Sequence, residues 1–230
     1  MTDAPAAMRD LYPFLYPDTD RNRGGQRAAS GAAVPGGLLE STRAKIGEIT
    51  RLRREVAERH AAGLAACATA MAGRFAAGGR LFAFGNGGSS TDAQDLAGTF
   101  LCPPGTARAL PALALTCDVA VVTALANDVG FEVVFARQLA AFGRPGDIAV
   151  GLSTSGGSAN VVAGLERAAR IGMLTVGLAG HGGGRLAELD GLDHLFPIPS
   201  SSVHRIQEAQ TTLYHVLFEL VAQRLEGDPG

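Results

Sequence analysis

With 230 residues, 47% of them hydrophobic, and a mildly positive mean hydropathy, the chain can bury one substantial core, which predicts a single α/β domain with a helical extension. A formal net charge of -2 gives no general pull toward nucleic acid or an anionic membrane, so neither is an expected partner. Lys45 is the only lysine, which leaves no Gly-Lys-Ser/Thr for a nucleotide P-loop and sets Schiff-base chemistry aside.

Residues 1 to 37 combine Pro5, Pro13, Pro17 and Pro35 with the polar, glycine-containing run Thr19 to Gly37, and this composition reads as a tail that does not order itself. Its apolar cluster, Leu11 to Tyr16, either floats or docks. The first 17 residues lack the basic start and apolar run of a signal peptide, and no apolar run reaches transmembrane length. Cys67, Cys102 and Cys117 are dispersed and without C-x-x-C pairing, which fits a reducing compartment. The expectation is a soluble, cytoplasmic protein.

From Leu38 to Ala77, apolar residues recur at helical spacing (Leu39, Ile46, Ile49, Leu52, Val56, Leu64, Cys67, Met71, Phe75), with Gly63 a potential break. This pattern predicts one long helix or two in tandem. The apolar stripe needs a cover, either its own domain or a neighbouring subunit. Arg80 to Phe84 then reads as a strand, Gly85 to Thr91 as a turn, and about Asp92 to Leu101 as a helix. Gly87 and Gly88 would let backbone approach a ligand, and Asn86 would present an amide. The run is not a G-x-G-x-x-G dinucleotide fingerprint.

Pro111 to Leu115 is the next strand, followed by helices over Val119 to Ala126 and Glu132 to Phe142 joined at Asn127 to Gly130. The apolar run Asp147 to Val150 continues as a strand to Leu152. Leu174 to Ala179 and a shorter His194 to Ile198 complete the strands. Such alternating units imply a mostly parallel sheet wrapped on both faces, with ligands beyond the carboxyl ends of its strands.

The stretch Gly151 to Asn160 lies on that edge, between a strand and a helix over Val161 to Ile171. Helix N–H groups, the helix dipole and the hydroxyls of Ser153, Thr154, Ser155 and Ser158 converge there, which suits a phosphate. A flexible polar turn is the plainer alternative. The chain closes in a helix through Leu225, on which Gln207, Thr211 and His215 succeed one another at four-residue steps beside a buried face. His215 reads either as a satisfied core histidine or as a functional one.

Taken together, Gly85-Asn86-Gly87-Gly88-Ser89, Ala126-Asn127-Asp128 with Gly130-Phe131, Ser153-Thr154-Ser155-Gly156 with Ser158-Ala159-Asn160, and Arg205-Ile206-Gln207-Glu208 with His215 resemble the SIS (sugar isomerase) domain family. Within it the match is to the phosphoheptose isomerase subfamily, from about Leu38 to Leu225. The resemblance implies a flavodoxin-like three-layer fold with a five-stranded parallel sheet, and one SIS domain over residues 38 to 228 that includes the N-terminal helices. It also implies a homotetramer with phosphosugar sites between subunits. Ser153, Thr154, Ser155 and Ser158 would cradle the phosphate, Asn86, Gly87 and Gly88 would form a second wall, Asn127 and Asp128 would contact the sugar, and Gln207 and His215 would face the reacting end.

In the isomerase, sedoheptulose 7-phosphate becomes an aldoheptose phosphate through an enediol, with a carboxylate base, a histidine partner and zinc among the polar side chains. The resemblance places a histidine and, four residues on, the glutamate base where this chain has Asp95 and Thr99. Asp95 could serve as base or ligand from shorter reach; Thr99 cannot remove a carbon-bound proton unaided. Of Asp95, Thr99, Gln207 and His215 only two are good zinc ligands, so weak metal binding or none is expected. Glu208 is a further carboxylate with no assigned direction. Two readings remain: a ketose–aldose phosphosugar isomerase working through Asp95 and His215, or a non-catalytic sugar-phosphate sensor or assembly factor, like the relatives that associate with a replication initiator.

Overall fold

The computed structural model describes residues 36–227. The chain divides into two compact units, Met1–Glu40 and Ser41–Gly230. Of the first, only the opening of a helix falls in the described range; the sheet and every other described helix belong to the second. The expected tail lies outside the described residues, except that Gly36 and Gly37 already belong to that helix.

Helix α1 (Gly36–Ala76) is continuous, so the single-helix alternative holds. Leu52, Val56, His60, Leu64, Cys67, Met71 and Phe75 are buried at three- and four-residue steps, as an amphipathic helix requires. Gly63 does not break it. A Cβ there would stand 3.3 Å from the ring of Phe196, so the missing side chain is what lets this turn lie close to the sheet. One turn earlier, His60 donates from Nε2 to the Pro197 carbonyl at 2.9 Å.

The sheet contains β1 (Leu81–Gly85), β2 (Ala112–Ala114), β3 (Ile148–Ser153), β4 (Leu174–Gly180) and β5 (His194–Ile198), all parallel, in the order β2-β1-β3-β4-β5. That is the flavodoxin-like order. Alternation along each strand divides the core in two. Leu81, Ala83, Ile148, Val150 and Leu152 face α1 and the helices α2 (Gly88–Leu101) and α6 (Val203–Glu226). Phe82, Phe84 and Ala149 face the layer that holds α4 (Val134–Phe142) and α5 (Ala159–Ile171), while α3 (Val119–Asp128) leads into α4 through a single 3-10 turn, Phe131–Val133. At the amino end of the sheet, buried Asp147 accepts from the Arg80 guanidinium at 2.7 Å and from the Arg144 backbone N–H at 3.0 Å, which closes that edge.

Two of the boundaries that differ from the sequence reading involve residues named for the site. Helix α2 starts at Gly88, not near Asp92, so Gly88-Ser89-Ser90-Thr91 is its first turn. Gly and Ser are poor helix formers, which hid this; the turn is held by N–H groups of Ser89 and Ser90 bonded to the carbonyls of Asn86 and Gly87. Helix α3 runs on through Asn127 and Asp128, which therefore end a helix and do not sit in a joint.

Candidate functional site

Strand order reverses about β1, because β2 lies on one side of it and β3 on the other. The carboxyl ends of β1 and β3 consequently flank a topological switch point, the place where parallel sheets of this kind open a crevice. Both glycine- and hydroxyl-rich turns leave the sheet there.

After β3, the buried Ser153 places Oγ 3.0 Å from Ser158 Oγ and 3.3 Å from Ser155 Oγ, and the Gly157 N–H donates to Ser155 Oγ at 3.1 Å. Three hydroxyls therefore share one concave turn. Ser158 occupies the N-cap of α5, yet its side chain does not cap that helix; it is turned to Ser153. Gly87 likewise leaves the start of α2 without a side-chain cap. By contrast, Asp118 caps α3 and Ser202 caps α6. Both helices that begin at the switch point lack a side-chain cap, as α4 does too, and within their first turns the N–H groups of Ser89, Ser90, Val161 and Val162 are bonded to the carbonyls of Asn86, Gly87 and Ser158. No charge of the protein opposes an anion within this set of hydroxyls and amides.

The turns are clasped to each other. Asn86 Nδ2 donates to Asn160 Oδ1 at 2.8 Å and Asn160 Nδ2 returns a bond to Asn86 Oδ1 at 2.9 Å. Asn160 is buried and joins the start of α5 to the end of β1, a role that the sequence does not reveal for it. Gly156, with φ 65°, lies directly on the Gly183 backbone, so the loop after β4 braces the hydroxyl turn from behind. Gly88 is required for a different reason: the Gln207 amide rests where its Cβ would be. Gln207 thereby reaches the start of α2.

Seven residues on along both helices, Asp95 meets Tyr214, so α2 and α6 run parallel with a fixed register. Tyr214 donates to Asp95 Oδ2 at 2.6 Å, and His215 Nε2 stands 3.5 Å from the same oxygen. Asp95 and His215 side chains are 56% and 46% exposed, open enough to meet a ligand. Burial, then the bond to Asp95, holds the Tyr214 phenol well above its usual range, so it remains a donor. Asp92, one turn before Asp95, has its carboxyl pushed up to about 6, first by burial and then by the charge of Asp95. Its Oδ2 is buried without a hydrogen-bond partner. Thr99 lies a turn beyond Asp95 and is half-buried.

The remaining sequence-named residues fall elsewhere. Glu208 accepts from Arg205 at 2.6 Å within its own helix, and Arg205, which also pairs with Glu48, ties α6 to α1. Asn127 donates to Asp128 at 2.8 Å at the exposed end of α3; among the described residues these side chains bond to each other and to neither turn. Also among the described residues, no group of three or more His, Cys, Asp or Glu converges as a metal site. A depression of about 1070 Å³, lined by Leu113, Val119, Val121, Leu125, Arg137 and Phe142, is apolar and shares no residue with the two turns. Size alone would favour it as the ligand site; the polar convergence at the switch point argues for the turns.

The SIS domain profile matches residues 46–180, which takes in both turns and the strands between them. The chain belongs to the SIS domain family. Within it, the chain falls in the phosphoheptose isomerase subfamily. It is 44% identical over 175 residues to a phosphoheptose isomerase of Roseiflexus sp. (strain RS-1), covering 76% of this chain and 88% of that protein. It is 48% identical over 171 residues to one of Desulfovibrio desulfuricans, covering 74% and 80%. Among solved structures, the phosphoheptose isomerase from Neisseria gonorrhoeae superposes with a TM-score of 0.76 at 35% identity, covering 81% of this chain and 99% of that one. The Francisella tularensis enzyme gives 0.77 at 32% identity, covering 81% and 98%.

Proposed function

We propose that this SIS protein is a ketose–aldose isomerase of a phosphorylated sugar, of the sedoheptulose 7-phosphate type, working as a homotetramer in the cytoplasm. The observation that carries the reading is the hydroxyl turn at the switch point, backed by two uncapped helix starts and clasped to the Asn86 turn, within a subfamily whose relatives bear the name phosphoheptose isomerase. The phosphate rests on Ser153, Thr154, Ser155, Ser158 and the N–H groups opening α5. Asn86, Gly87 and Gly88 form the facing wall. Asn127 and Asp128, at the exposed end of α3, contact the sugar.

The chemistry requires a proton to leave C1 of the ketose while the oxygen at C2 gains one, giving an enediol. A proton then enters C2 and the hydroxyl at C1 gives one up, giving the aldose. Asp95 and His215, 3.5 Å apart and half-open, are the groups that exchange these protons. Gln207, seated on Gly88, orients the reacting end. Thr99 supplies no base. A resident zinc does not fit the donors available. Asp95 Oδ2 is already taken by the Tyr214 hydroxyl, Gln207 is packed on Gly88, and one carboxylate with one imidazole falls short of a four-coordinate set. The reading therefore routes no step through metal.

The test is incubation of the purified protein with sedoheptulose 7-phosphate, with and without zinc, following aldose formation. Turnover independent of added zinc is expected, with a loss of at least about 100-fold in His215→Ala. At about 100 times its dissociation constant the sugar phosphate should add roughly 2.7 kcal/mol of stability, visible as a thermal shift that Ser155→Ala reduces. A shift without turnover would replace the isomerase with a sensor. Absence of both would remove the phosphosugar reading.

A further inference from the structure

Tyr214 is among the largest fully buried side chains of the molecule, and its ring is fixed in the core between α1, the sheet and α2. A ring so placed needs a partner for its hydroxyl. Two are in reach: Thr211 Oγ1 on its own helix, at 3.4 Å, and Asp95 Oδ2 on the neighbouring helix, at 2.6 Å. The shorter bond is of the charge-assisted kind, O–H to carboxylate. It is the one hydrogen bond that Asp95 makes among the described residues, and it restrains a side chain more than half exposed. The oxygen so held faces His215 Nε2, and the Tyr214 and His215 rings meet edge to face with centroids 4.9 Å apart.

A neutral imidazole carries one N–H, and a carboxylate fixed beside one ring nitrogen keeps the proton on that side. The other nitrogen is then the lone-pair acceptor, the logic by which an orienting carboxylate sets a histidine for proton transfer. We propose that Tyr214 is a positioning residue: its phenol holds Asp95 against His215, so that His215 keeps its proton on Nε2 and presents Nδ1 as the acceptor. The use of that acceptor rests on the isomerase reading; the tautomer does not. The arrangement needs the parallel register of α2 and α6, which sets residues 95 and 214 at one level.

The experiment uses the full chain labelled with nitrogen-15 histidine, with the imidazoles neutral. The five histidines are sorted by the signals lost in His215→Gln. Wild type is expected to show the Nε2–H tautomer at His215. Tyr214→Phe, which removes only the hydroxyl and leaves the ring packed, is expected to give a mixture. Asp95→Asn, whose amide N–H would face Nε2, is expected to move the proton to Nδ1. An unchanged tautomer in both variants overturns the proposal. In turnover, Tyr214→Phe should lower kcat about 10- to 100-fold with KM nearly unchanged, the usual scale for a group that orients a functional side chain. In an Asp95→Ala background Tyr214→Phe should leave the His215 tautomer distribution unchanged. A further change there would make Tyr214 a packing residue and overturn the proposal. If wild type turns over no sugar phosphate, the isomerase reading fails, and the tautomer alone decides the role of Tyr214.

Discussion

At the scale of single residues, the acidic face of α2 carries a cost that pH can expose. Asp92 is raised to about 6 by burial and by Asp95, and its buried Oδ2 has no partner to stabilise the charge. A folded-state pKa above the unfolded one means that the protonated acid favours the fold; this contribution is complete below the unfolded value near 3.8 and is lost as pH rises through about 6. Asp92→Asn should therefore stabilise at pH 7 to 8 and change little at pH 4. Two pKa units set a ceiling of roughly 3 kcal/mol, and partial exposure reduces it to about 1. Melting curves at the two pH values decide it, and an equal gain at both would refute the argument. Among the candidate site residues, Ser153, Ser155, Ser158 and His215 stood out by type and spacing, while Asp95 entered only through the family resemblance. Asn160, Tyr214 and Asp92 did not stand out. Their roles depend on which side chain stands opposite, and that is set by strand and helix register.

At the scale of elements, strands and most helices were legible because runs such as Ile148–Ser153 are apolar, short and bounded by turn residues. The start of α2 was not, since Gly88-Ser89-Ser90-Thr91 has loop composition and becomes helical through its bonds to Asn86 and Gly87 and through α6 beside it. The turn between β3 and α5 has the opposite character: its composition suggests flexibility, whereas its geometry is braced. Gly156 holds a positive φ of 65° and abuts Gly183. Gly156→Ala should lose at least about 2 kcal/mol, combining left-handed strain with a backbone collision. Gly157→Ala is the control, because its Cβ would meet only Ser155 Oγ at 3.7 Å. Denaturant unfolding of the pair should separate them clearly, and Gly156→Ala should also blunt the thermal shift given by the sugar phosphate. Similar stabilities would show the turn to be as loose as its composition suggests.

At the scale of the whole molecule, the order β2-β1-β3-β4-β5 places the polar turns at the centre of the sheet and leaves the short strand β2 at its edge. Beside that edge, Leu113, Val119 and Phe142 are 48%, 66% and 52% exposed around the apolar groove. Isolated soluble chains rarely leave so continuous an apolar surface uncovered. The same helix α3 that borders the groove ends in Asn127 and Asp128, whose side chains bond to each other. Covering the groove with a second copy would bury the apolar face, and with phosphosugar sites shared between subunits, as proposed, assembly and chemistry would depend on one surface. A carboxylate buried there without a partner costs several kcal/mol. Val119→Glu with Leu113→Glu should therefore shift sedimentation from the proposed tetramer to smaller species, while circular dichroism stays that of the folded chain. Turnover should fall in parallel with dissociation and recover as protein concentration is raised. A double variant that sediments like wild type would remove the groove from the assembly, and full turnover in a dissociated variant would place the complete site within one chain.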